Sequence, residues 1–315
     1  MRGSAGLRRP TSKDRTVSAS PATAKLSPRL AIVMLLGVGA AFAANHVSAR
    51  IAFDHGASVA ASVTVRAMTT ALILFVLMRI QGVPMALPRG LRAKALVAGV
   101  LIAAQSYSLY SAVALIPPAL ALLVFQTSPM LYVLLTWALG KEAPRWSALP
   151  PMLVALIGLA FALDLHWYEL AARWTEIGTG VLWALASGIS MVIVYYLNAN
   201  ALKPLDNRLR TFVMTAVTAV ILGIAGAASD RLALPRDAVG WTGLALLTGF
   251  YCVAMISVFF VIPRVPATTT AALNFEPIAA LGLAWLVLGH TVTPLQLAGA
   301  FVTVGSIAWL GVSKR

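Results

Sequence analysis

The sequence predicts an all-α membrane protein of ten transmembrane helices arranged as two inverted five-helix repeats. Three observations carry that prediction. The composition is too apolar for water, apolar stretches of spanning length follow one another along the chain, and a set of prolines and a tryptophan recurs at a fixed shift. Apolar residues make up 60% of the 315 and charged residues only 11%, with a mean hydropathy of +0.86. A folded chain of this length needs far more charge to coat its surface, so lipid must be the solvent for most of it. The net charge of +14 would suggest nucleic acid in a soluble protein. Here the basic residues sit in short loops and an N-terminal tail, as orientation signals do, and no nucleic-acid partner is predicted.

The first element, residues 1–28, is rich in Arg, Ser, Thr and Pro with one acid, Asp14. It reads as a disordered cytoplasmic tail, with an organelle transit peptide as the competing reading. A spanning helix needs roughly 20 mostly apolar residues, and the sequence offers such stretches near 30–52, 57–79, 94–115, 117–139, 146–163, 177–199, 210–228, 239–261, 266–288 and 294–312. The first repeat is placed at 29–164 and the second at 177–315, with an external connection at 165–176 between them. Short loops leave no room for a soluble domain. The single cysteine, Cys252, lies inside a span and excludes an internal disulfide or a cysteine-based metal site. The four histidines at 46, 55, 166 and 290 are scattered, so neither metal nor cofactor is predicted.

With a cytoplasmic N-terminus, the inside segments hold 19 Lys and Arg, while the outside segments hold only Arg50, Arg173, Arg231 and Arg236. This satisfies the positive-inside rule, places both termini inside and predicts a bacterial inner (plasma) membrane location. Pro118, Pro129 and Trp137 recur as Pro266, Pro277 and Trp285, each 148 residues on. Duplication explains a fixed shift most simply. Five helices per unit is an odd number, so the second unit enters the membrane from the opposite side. Inverted repeats about an axis in the membrane plane suit alternating access.

Charged groups at mid-bilayer cost about 2.5–3.5 kcal/mol on insertion scales, so each needs a partner or a wet cavity. Arg66 in the second span and Glu276 in the ninth are both near mid-depth. They fit a direct pair or the two poles of one substrate. Arg66 can bind substrate or tie carbonyls; Glu276 can carry a proton, hold a cation or be a structural carboxyl. Pro277 and Pro129 are predicted as mid-helix hinges that free the carbonyls of Leu273 and Phe125. Asn274 joins the site only if the bend turns it inward. In the third span, Gln105, Tyr107 and Tyr110 belong to a polar and aromatic cluster too dense for a lipid-facing surface. Phe125 and Gln126 before Pro129, Trp183 and Ser187 in the sixth span, and Tyr251 in the eighth complete the candidate pocket, or else serve as packing glue. Asn45 and His46 read as interhelical hydrogen-bonding groups.

The Gly140-Lys141-Glu142 loop, the Ala114-Leu115-Ile116-Pro117 break, the position of Arg66 and the Glu276-Pro277 step resemble the drug/metabolite transporter superfamily, EamA type. The likeness covers residues 30–312. It implies a 5+5 inverted-repeat transporter, often an exporter of amino acids or related metabolites, with its pocket formed by spans 1, 3, 4, 6, 8 and 9. One departure is Gly289-His290, where the family often shows Gly-Glu. The expected function is therefore export of a small amphipathic metabolite, most plausibly an amino acid, with protons as candidate coupling ion. A multidrug exporter of lipophilic cations is the alternative. An intramembrane enzyme is the rival from another class, and the sequence carries no His-Glu-x-x-His, Gly-x-Ser-x-Gly or P-loop to support it.

Overall fold

The computed structural model describes residues 27–140, 149–162, 170–261, 264–265 and 273–313. The helices are α1 (Pro28–Asp54), α2 (Val59–Ile80), α3 (Arg89–Leu115), α4 (Pro118–Phe125), α5 (Ser128–Ala138), α6 (Leu149–Ala162), α7 (Leu170–Asn200), α8 (Asn207–Ala228), α9 (Ala238–Val261), α10 (Glu276–Leu288) and α11 (Pro294–Ser313). Residues 1–26, Lys141, Glu142 and Pro266 lie outside the described residues. Side chains start several helices as expected. Ser27 and Ser58 cap α1 and α2, and Thr293 and Gln296 exchange bonds of 3.1 and 3.2 Å as a capping box for α11. Among the described residues, seven segments are long and apolar enough to cross a bilayer: α1, α2, α3, α4 with α5, α7, α8 and α9. Three more are apolar but shorter: α6, α10 with the turn from Leu273, and α11. The helix α7 begins at Leu170, inside the stretch predicted as an external connection.

Polarity is arranged inside out. Leu72, Ile80, Leu153, Ile224, Val253 and Leu286 are exposed, while Asn45, His46, Ser62, Arg66, Thr70 and Ser187 are buried. Water would not tolerate that belt and lipid requires it, so the protein crosses the membrane several times.

The main helix contacts between the halves map onto themselves when the halves are exchanged. The α1·α9 contact corresponds to α3·α7, α3·α8 to α2·α9, and α1·α10 to the packing of α4 and α5 on α7. The pairs α2·α8, α6·α11 and α4·α10 are their own counterparts. At α6·α11 the backbones nearly touch: a Cβ on Gly299 would lie 2.5 Å from Gly158 O, and Thr303 Oγ1 donates across to Ala155 O at 3.3 Å. Such small-residue contacts replace a hydrophobic driving force between helices in lipid.

The halves are also tied at their loops. Ser58 N donates to Ala233 O at 2.8 Å, Arg236 N donates to His55 O at 3.0 Å, and His55 Nδ1 meets Asp237 Oδ2 at 2.7 Å. The Gly240 N–H, then His55, hold the Asp237 carboxyl below the usual carboxylate range. The counterpart contact is mainly apolar, with Met78 and Val83 packed in one cluster with Leu202 and Leu205, and Arg208 Nη1 donating to Gln81 Oε1 beside it.

The prolines act differently from expectation. Pro129 and Pro277 occupy the first turn of α5 and α10, where no intrahelical N–H is needed. The backbone breaks before them, at Thr127 (φ −68°, ψ −15°) and at Phe275 (φ −69°, ψ −14°). The Phe125 carbonyl is not free, because Ser128 Oγ donates to it. Each break also has a glycine opposite. A Cβ on Gly188 of α7 would lie 3.2 Å from Ser128 Oγ, and one on Gly39 of α1 would lie 3.6 Å from Leu273 O.

Candidate functional site

The centre of the site is Arg66, carried by α2 and only 4% exposed. Its Nη1 donates to Tyr110 Oη at 3.1 Å and its Nη2 to Ser106 Oγ at 3.1 Å. The guanidinium carbon stands 4.7 Å from the centre of the Tyr110 ring and 3.9 Å from that of Tyr251. Two electron-rich faces suit a delocalised cation that has left water. Its Nε is buried with no hydrogen-bond partner among the described residues. Arg66 is therefore a buried cation, held by neutral groups, with one N–H to spare.

A second polar group lies beside it. Asn45 Nδ2 is 2.6 Å from Tyr110 Oη, so α1, α2 and α3 meet at that hydroxyl. On the next residue of α1, His46 Nε2 is 3.4 Å from Glu276 Oε1 on α10. The sequence expectation of interhelical hydrogen bonding thus holds for Asn45, though without its partner named, while His46 makes a close contact with a carboxylate instead. Arg66 and Glu276 each keep their own neighbours and do not form the direct pair that the sequence also allowed.

The aromatic residues form walls. Tyr107 and Trp183 pack edge to face at 5.9 Å, as do Phe42 and Tyr251 at 6.0 Å. Gln105 Nε2 donates to Ser187 Oγ at 3.1 Å and its Oε1 accepts from Ser106 at 3.2 Å, which links α7 to the Arg66 cluster. Phe125, Gln126 and Asn274 are half-buried at the two breaks, away from Arg66's immediate partners. Phe42 and the two glycines facing the breaks were missed. Only the 149-residue shift from Gly39 to Gly188, close to that of the prolines, could have flagged the glycines. A separate cavity of about 360 Å³ lies between Pro117 and Leu120, Leu281 and Ala284, and the turn at His290, and none of the predicted site residues line it.

A duplicated bundle of apolar helices with a buried, charged and aromatic centre defines a multi-pass membrane protein of the transporter kind. The family model of the EamA-like transporter family matches residues 29–163 and again 178–312, and the chain belongs to that family. A solved crystal structure, 16% identical over 90% of this chain and 96% of its own, superposes with a TM-score of 0.61 and shares the fold. The family's members are transporters, not enzymes.

Proposed function

We propose that the protein exports a small zwitterionic metabolite, most plausibly an amino acid, by alternating access across a bacterial inner membrane. In this reading it has ten spans, two inverted repeats and both termini in the cytoplasm. The exchange symmetry of the helix contacts supports the repeat. The odd number of helices per unit supports the inversion, and the 19-to-4 bias of Lys and Arg supports the orientation.

One observation carries the substrate assignment. Arg66 is a buried cation whose partners are all neutral, while the carboxylate at similar depth, Glu276, is held on another helix. A carboxylate entering the site would take the free Nε–H and neutralise Arg66, and an ammonium would take Glu276. The aromatic pairs Tyr107–Trp183 and Phe42–Tyr251 supply the apolar wall for a side chain. Uncompensated charge is expensive in lipid, so the pocket favours a solute that brings both signs.

Counterflow in proteoliposomes, with the twenty amino acids tested singly, checks this reading. Exchange of at least one, lowered at least about tenfold in both Arg66→Met and Glu276→Gln, is expected. Movement of lipophilic cations with no amino acid exchanged would replace it with the multidrug reading.

A further inference from the structure

His46 is buried on α1 and its Nε2 lies 3.4 Å from Glu276 Oε1. Its ring tilts against Tyr110 with centroids 5.2 Å apart, and its Nδ1 is buried without a hydrogen-bond partner among the described residues. The imidazole therefore has one polar neighbour to serve, the carboxylate. The other titratable or charged groups near this depth are Arg66 on α2, Tyr107 and Tyr110 on α3, and Tyr251 and Cys252 on α9; α4 brings none. Arg66 is turned to Tyr110, Ser106 and Tyr251. Tyr107 packs on Trp183. Cys252 Sγ sits 3.4 Å from Thr70 Oγ1. One turn along α1, Arg50 is committed to Asp54 and to the carbonyls of Val113 and Ala114. That leaves Glu276 facing His46.

Histidine is the side chain that ordinarily changes charge between pH 5 and 8. If Glu276 also receives the substrate ammonium, two cations compete for one half-buried carboxylate. We propose that His46 is the proton site of this transporter, and that its proton and the substrate ammonium occupy Glu276 in turn. The inference rests on the reading of Glu276 as the cation pole. In the empty site, the imidazolium donates its Nε2–H to Glu276. When an ammonium donates to the same carboxylate, the Nε2–H bond breaks and its electron pair stays on nitrogen. The proton leaves to water on the open side, and His46 becomes neutral. When the substrate departs on the other side, Nε2 takes a proton there. One substrate crosses for each proton moved the opposite way. A zwitterion carries no net charge, so each cycle moves one positive charge.

The test uses the full chain in proteoliposomes and the amino acid that exchanges best in the panel above. With the membrane potential clamped at zero, an opposing gradient of one pH unit should sustain up to about tenfold accumulation by the wild type, the limit for one proton per substrate. His46→Gln should keep counterflow, slowed by up to about tenfold because the glutamine amide can still donate to Glu276 at the worth of an ordinary hydrogen bond, while its accumulation falls to about onefold. Glu276→Gln should lower counterflow itself at least about tenfold. Proton release on substrate binding, read with a pH-indicator dye in weak buffer, should approach one per substrate for the wild type at low pH. It should fall as pH rises, and vanish in His46→Gln. Full accumulation by His46→Gln would overturn the proposal and leave the proton on Glu276. Should His46→Gln fail to fold, the absence of proton release by the wild type between pH 5 and 8 would overturn it as well. A wild type that exchanges no amino acid would sink the substrate reading and this proposal together.

Discussion

The two breaks at residues 125–129 and 273–277 share a backbone and differ in chemistry. Thr127 and Phe275 agree to within 1° in φ and ψ, a proline follows two residues later in each, and a glycine of a neighbouring helix lies against each. At the first break, Ser128 turns back and donates to the Phe125 carbonyl, closing the break on itself. At the second, the equivalent residue is Glu276, which has only acceptors when ionised and turns to another helix, where His46 Nε2 lies 3.4 Å from Oε1. Duplication kept the geometry, and a single side chain made one break a self-contained joint and the other a charged pole.

That comparison can be broken in steps. The largest effect is expected from Glu276→Ser, which copies the first break into the second. Losing bonds to a charged group at about 1.5–3 kcal/mol should lower exchange by about 10- to 150-fold while the protein still folds. Arg66→Met tests whether the opposite pole is functional or structural. Removing an uncompensated mid-membrane charge should leave thermal stability equal or raised while KM climbs at least about tenfold. A fall of several degrees in Tm would show instead that Arg66 holds the helices together.

At the first break the effects should be on stability. Ser128→Ala leaves the Phe125 carbonyl uncapped and should cost about 1 kcal/mol, read as a lower Tm, with exchange changed less than about threefold. The glycines give the smallest and most discriminating pair. The Gly188 Cβ would come within 3.2 Å of Ser128 Oγ, tighter than ordinary contact, whereas the nearest atom to that of Gly39 is 3.6 Å away. Gly188→Ala should therefore lower Tm slightly, and Gly39→Ala should leave it unchanged or raise it, since alanine favours the helix by up to about 1 kcal/mol. Equal responses would mean that the two breaks are packed alike.

Much of this was legible in the chain. Low charge and long apolar stretches dictate a membrane fold, because lipid leaves helices as the way for such segments to satisfy their backbone. The 148-residue shift of Pro118, Pro129 and Trp137 located the duplication, and mid-span charge singled out Arg66 and Glu276. Helical spacing tells which residues share a face but not what that face meets. The partners of Arg66 lie 40 and 44 residues away, and His46 and Glu276 belong to opposite halves of the chain.

The prolines show the same limit. Sequence drew attention to Pro129 and Pro277 as mid-helix hinges, yet whether a proline kinks a helix or begins a new one depends on what takes up the freed carbonyl. At Phe125 that was decided by a rotation of Ser128. Sequence by itself determined the solvent, the repeat and the two buried charges, because these follow from composition and periodicity. Tertiary structure alone decided that the charges stay apart, each with its own neighbours, because pairing in lipid is settled by which helices pack at the same depth.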